Sequence, residues 1–176
     1  MVVTGLVGTF IFSAGSCLGA DDEAPRPHLL EKAEALPLAL TDDFQFTKVL
    51  TYHNSREDNR YARSGIDPAV DFERKHRMYG AVTWLDMRER HGHYYTFFWH
   101  SKEVADVTVR LEYRQEKLGP YIQAQEINYT GVKGRQKTEF AVIGDDYQMD
   151  GRVSSWRAII IKDNRIVGLY SSFLWN

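Results

Sequence analysis

The chain has 176 residues, enough for one domain with a real core and too few for two ordinary ones. Hydrophobic residues make up 43% and charged residues 26%, which argues against a disordered chain, a coiled coil and a multi-span membrane protein. Twenty-two basic side chains against twenty-four acidic ones leave a formal net charge of −2, so no whole-molecule field draws the protein to nucleic acid.

Residues 1–20 carry no Asp, Glu, Lys or Arg, and an apolar centre at 6–12 runs into the small residues Ser13, Ala14, Gly15 and Ser16. This reads as a signal segment with Ala20 as the last residue before cleavage and an exported mature chain starting at Asp21, although no basic residue precedes the apolar centre. Cys17 is the single cysteine, so the mature domain has no internal disulfide. The run Ser13-Ala14-Gly15-Ser16-Cys17 loosely resembles a bacterial lipoprotein processing box, which makes a lipidated Cys17 a second reading and a retained membrane anchor a third. Any membrane contact is expected only through this segment or the lipidated cysteine. Residues 21–40 follow as a linker rich in acids and proline, with one short helical turn ended by Pro37.

Residues 41–176 are expected to form a single β domain. Phe44, Phe46, Val49 and Leu50 suggest a first strand. Residues 54–77 hold six basic and five acidic side chains with almost no apolar run, and read as a long solvated loop. Residues 79–82 suggest a short strand. Thr83 and Asp86 have the spacing of a capping box, which predicts one short helix ending before Gly92. Residues 93–100 form an aromatic strand with Tyr95, Phe97 and Trp99 on one face and Tyr94, Thr96, Phe98 and His100 on the other. Val107, Val109, Leu111 and Tyr113 alternate with Thr108, Arg110, Glu112 and Arg114, the signature of a half-buried strand. The apolar phase shifts between 121 and 129, which predicts a bulge, and 138–143 makes a separate strand. Residues 153–161 and 165–175 pair as a terminal hairpin across Asp163-Asn164, with Trp156 and Trp175 buried as core. Seven or eight strands at this spacing predict a mostly β fold, an immunoglobulin- or fibronectin-like β-sandwich with one short helix.

Thr138-Glu139-Phe140-Ala141-Val142-Ile143-Gly144-Asp145-Asp146-Tyr147, Gly151-Arg152-Val153 with Trp156-Arg157, and Ser172-Phe173-Leu174-Trp175 resemble a group of exported bacterial proteins without an assigned activity. The likeness covers roughly residues 79–176. It implies an envelope location and a β-sandwich, and supplies no catalytic residue.

Three constellations could carry chemistry. His91, His93 and His100 are metal-ligating residue types, but His93 and His100 are an odd number apart and face opposite sides, so surface or turn histidines are expected. Asp145, Asp146 and Asp150 gather between Gly144 and Gly151, where a hard cation could find oxygen ligands, although the spacing does not match a twelve-residue calcium loop and a polar turn is the plainer reading. Four tryptophans and ten tyrosines could form a platform for sugar rings, though most fall on core positions of the predicted strands. Asn128-Tyr129-Thr130 is a glycosylation acceptor by pattern only. For hydrolysis the chain offers acids such as Glu126, Glu139 and Asp145, but neither a Gly-x-Ser-x-Gly elbow nor a His-Glu-x-x-His motif. No cofactor is implied. The expected function is a noncatalytic module of the cell envelope or periplasm with a structural or protein-binding role, an unknown protein or glycan as its partner, and carbohydrate binding as the alternative to a protein; a small hydrolase comes third.

Overall fold

A computed structural model describes residues 25–55 and 67–175. The expected signal segment, Cys17 and the expected start at Asp21 lie outside the described residues, as do residues 56–66 of the expected loop at 54–77. Among the described residues no helix is long and apolar enough to cross a membrane.

The protein is mostly β. Six strands form one antiparallel sheet: β1 (His28–Leu30), β2 (Phe44–Asn54), β3 (Gly92–Gln115), β4 (Gln123–Ile143), β5 (Val153–Lys162) and β6 (Arg165–Ser171). Three helices join them: α1 (Pro68–Met78), α2 (Trp84–Glu89) and α3 (Gly144–Asp150). The sheet order is β1-β4-β3-β5-β6, with β2 also paired to β3. One long β3–β4 ribbon is therefore shared by two halves. β2 pairs with the first part of β3, from Phe44 opposite Ser101 to Asn54 opposite Gly92. β5 pairs with its second part, from Thr108 opposite Ile161 to Gln115 opposite Val153.

The ribbon turns where its register breaks, around Ser101, Ala105 and Val107 of β3. Gly131 and Gly134 face this corner from β4 with positive φ of 62° and 79°, a backbone shape that a Cβ makes costly. The turn brings β6 against the start of β2: a Cβ on Gly168 would lie 3.1 Å from the Phe44 carbonyl oxygen. The core fills the inside of the curve. Tyr95, Phe97, Trp99, Val107, Val109, Leu111 and Tyr113 all project inward from β3, with Ile127, Phe140 and Val142 of β4 and Ala158 and Ile160 of β5. Trp99 donates its indole N–H to Thr138 Oγ1 at 2.9 Å, which satisfies the one polar atom of a fully buried ring.

The outer face of β5 has its own smaller core, where Ile159, Ile161 and Ile166 pack with Leu36. Beside it lies a buried ion array. Glu112, 1% exposed, accepts from Arg157 Nε at 2.7 Å and from Arg110 at 3.5 Å, and Arg110 Nε also donates to Glu126. Each buried charge thereby meets an opposite one, which is the condition for keeping it in the interior.

Several expectations change here. The described strands number six and the helices three, against seven or eight strands and one helix. An immunoglobulin-like sandwich has two sheets joined by connections, whereas these six strands share one ladder. The strands expected at 121–129 and 138–143 are one strand, because the Gly131 and Gly134 stretch bends the ladder without ending it. No register break occurs between Gln123 and Tyr129: Ala124 lies on the outer face, paired with Leu30 of β1, which accounts for the apparent phase shift. Residues 28–30 form β1 and not a helical turn. Residues 68–78 of the expected loop are helical: Asp67 accepts the Ala69 N–H, Pro68 sets the first turn, and Lys75, His76 and Arg77 suit the C-terminal end of the dipole. Residues 79–82, expected as a strand, are the link between α1 and α2. The Thr83–Asp86 capping box of α2 is present in both directions, and Asp163 and Asn164 take φ of 49° and 56° at the terminal hairpin, as their residue types suggest. α1, α2 and the link between them leave large apolar side chains in solvent, among them Phe72, Tyr79, Val82, Trp84 and Leu85.

Candidate functional site

At one end of the folded ribbon a cavity of about 390 Å³ opens between β2, β3, β5 and the C-terminal tail, lined by Thr51, His53, His93, Tyr95, Trp156, Phe173 and Leu174 among others. His53 reaches it through a local irregularity. Phe46 pairs with Trp99 and Lys48 with Phe98, so Thr47 is an extra, bulged residue, its hydroxyl donating to the Phe98 carbonyl at 3.1 Å. Before the bulge even-numbered residues face the core, and after it odd-numbered ones do. His53 therefore lies directly opposite His93 on the inner face.

The two imidazoles stack, with centroids 4.2 Å apart and planes 16° from parallel. α3 reaches over them: Tyr147 Oη is 2.8 Å from His53 Nε2, and its ring meets His93 edge-on at 5.9 Å. Arg152 Nη2 donates to His53 Nδ1 at 3.3 Å. A guanidinium has no acceptor, so Nδ1 supplies the lone pair, and a neutral His53 then donates from Nε2 to Tyr147. Burial first, then His53 and Arg152, depress the His93 pKa to about 3, so its ring is neutral at physiological pH. His93 Nε2 is buried without a hydrogen-bond partner, an exception that native interiors rarely tolerate.

Tyr95 and Trp156 form the floor, 5.4 Å apart and edge-to-face, and Trp156 also stacks on Tyr170. Burial raises the Tyr95 phenol above its usual range, so it stays protonated. The lip is the tail. Ser172 Oγ accepts the Trp156 N–H at 3.0 Å, and the Ser172 N–H donates to the Trp156 carbonyl at 2.9 Å. The chain then turns, leaving Phe173 95% exposed at the mouth while Trp175 lies beneath the guanidinia of Arg114 and Arg157, at 4.2 and 5.1 Å. Trp175 is thus a clamp on the sheet's edge and not the core plug expected of it. Trp156 does join the core, half-buried in the seam between the two halves.

Asp145, Asp146 and Asp150 lie on α3 and not in a polar turn, since Gly144 (φ 65°) turns the chain at the end of β4 and Lys117 Nζ donates to the Gln148 and Met149 carbonyls at the other end of the helix. They do not converge: Asp145 faces Arg88 at 4.0 Å and Asp150 accepts from Gln123 at 3.4 Å. Among the described residues no three His, Cys, Asp or Glu side chains gather to hold a metal ion. His91 and His93 are covered and not surface histidines: His91 is buried, and His93 is half-buried beneath His53 and Tyr147. His100 faces away from His93, as the strand period requires. His53, Tyr147 and Arg152 are the components that sequence reasoning missed; the one available signal was Asp/Tyr/Arg spacing around the two glycines of α3, which does not point to β2.

No protein-family model, curated protein or solved structure matches the chain.

Proposed function

We propose that the chain is a noncatalytic binding module, exported and held at the cell envelope as residues 1–20 suggest, whose ligand occupies the pocket beside the His53–His93 stack. The observation that carries this is the pocket itself, a preformed aromatic cleft with a few polar groups and a strongly perturbed histidine, the usual make-up of a small-molecule site. Binding fits it better than catalysis. The serines at its edge are committed elsewhere, Ser154 Oγ donating to the Arg114 carbonyl and Ser172 Oγ capping Trp156, so neither is paired with a histidine as a nucleophile. The His93 Nε2 atom is covered, and its depressed pKa leaves it a poor base. The test is a fragment titration of the intact protein followed by NMR. Saturable shifts centred on His53, His93 and Trp156 are expected; fragments that bind only on other faces of the molecule would overturn the reading.

The alternative of a protein partner has its own support in the apolar side chains that α1 and α2 leave exposed. If that surface is the working one, Trp84→Asp abolishes partner binding and leaves the pocket titration unchanged.

A further inference from the structure

Resting on the pocket reading, we infer that the ligand is a neutral, flat aromatic compound with one or two polar groups, and not a sugar or a carboxylate. The walls set the shape. His93 and Tyr95 lie nearly parallel, 16° apart, Trp156 stands 63° from Tyr95, and Phe173 stands in solvent at the mouth. Rings placed this way receive another ring by offset stacking and edge contacts.

The polar groups set the chemistry. No Asp, Glu, Asn, Gln, Lys or Arg is among the described residues that line the cavity. A sugar carries a hydroxyl on nearly every carbon, and each one taken out of water needs a partner. Carboxylates and carboxamides, which can serve two hydroxyls at once, are missing from these walls. Of the five lining hydroxyls, on Thr51, Tyr52, Tyr95, Ser154 and Ser172, that of Ser154 donates to the Arg114 carbonyl and that of Ser172 accepts the Trp156 N–H. An anionic ligand fares no better: the Arg152 guanidinium donates to His53 Nδ1, and a buried carboxylate would find no cation among the described lining residues. A phenol or an indole carries a single polar group, which Thr51 or the rim can meet while the ring fills the cleft.

The probes are para-cresol and indole, with benzoate, methyl β-glucoside and cellobiose as comparators, each titrated into the intact protein and followed by the NMR signals of His53, His93 and Trp156. Para-cresol and indole are expected to move these signals saturably. Phe173→Ala, which alters an exposed side chain and leaves the circular dichroism spectrum unchanged, is expected to weaken them by about tenfold, the value of one ring contact. If benzoate or a saccharide moves the pocket signals and the neutral aromatics do not, the ligand class is wrong and the pocket reading survives. If the aromatics bind but Phe173→Ala has no effect, the ligand does not sit between these walls and the inference falls. If no probe moves the signals at millimolar concentration, both fall together.

Discussion

His93 couples the pocket to pH through its stability. The unfolded ring titrates near 6.5 and the folded one near 3, so between these values the unfolded state binds more protons and stability falls as pH falls. The stabilisation is complete above pH 6.5 and is lost progressively below it, by up to about 3 kcal/mol at pH 4.5. Urea denaturation at pH 7.5 and 4.5 measures it, and His93→Phe is expected to remove most of the difference. A second residue is held by sterics alone. Gly92 has φ of 144°, and a Cβ there would lie 2.1 Å from the Val142 carbonyl oxygen, a backbone atom that has no way to yield without breaking the ladder. Gly92→Ala is therefore expected to abolish folding or to cost more than about 3 kcal/mol, as read by thermal melting.

Among the elements, the tail and the ion array separate two kinds of burial. Trp175 touches two guanidinia and no core side chain, so Trp175→Ala is expected to cost about 1 kcal/mol, the scale of cation–π contacts, and not the several that a core tryptophan would. Glu112 is the opposite case. Its removal leaves Arg110 and Arg157 facing each other without their shared counter-charge, and Glu112→Ala is expected to cost about 3 to 5 kcal/mol in a chemical melt. Elements with a strict period or a complete cap were legible in the sequence: the alternation within 93–100 and within 107–113, which predicts two strands where β3 is one, the Thr83 box and the Asp163-Asn164 turn. α1 was hidden because its apolar residues form no stripe, although Asp67-Pro68 marked its start. β4 was split because a strand carrying Gly131, Lys133, Gly134 and Arg135 has the composition of a loop; only its pairing with β3 makes it a strand. The site was almost illegible, since two of its rings meet across strands 40 residues apart and a third sits on a helix that reads as a turn.

At the scale of the molecule, β3 and β4 belong to both halves, so neither half can open without breaking the ladder of the other. A single cooperative transition is expected: far-ultraviolet and near-ultraviolet circular dichroism should report the same melting midpoint. Trp156, packed against Tyr95 and Phe97 of β3 and Tyr170 of β6, ties the halves together. Trp156→Ala is expected to lower the stability of the whole by about 3 kcal/mol without separating it into two transitions. The bulge at Thr47 gives this architecture a parity. Every residue of β2 beyond it is read on the face opposite to the one its number would otherwise dictate. Deleting Thr47 alone removes the extra residue and leaves residues 48–54 in the same register, so the alternation becomes unbroken with His53 still inward opposite His93. Such a variant should remain a folded β protein with its imidazole stack intact, so that the pairing of His53 with His93 across the ladder, and not the count of residues upstream, decides whether the pocket exists.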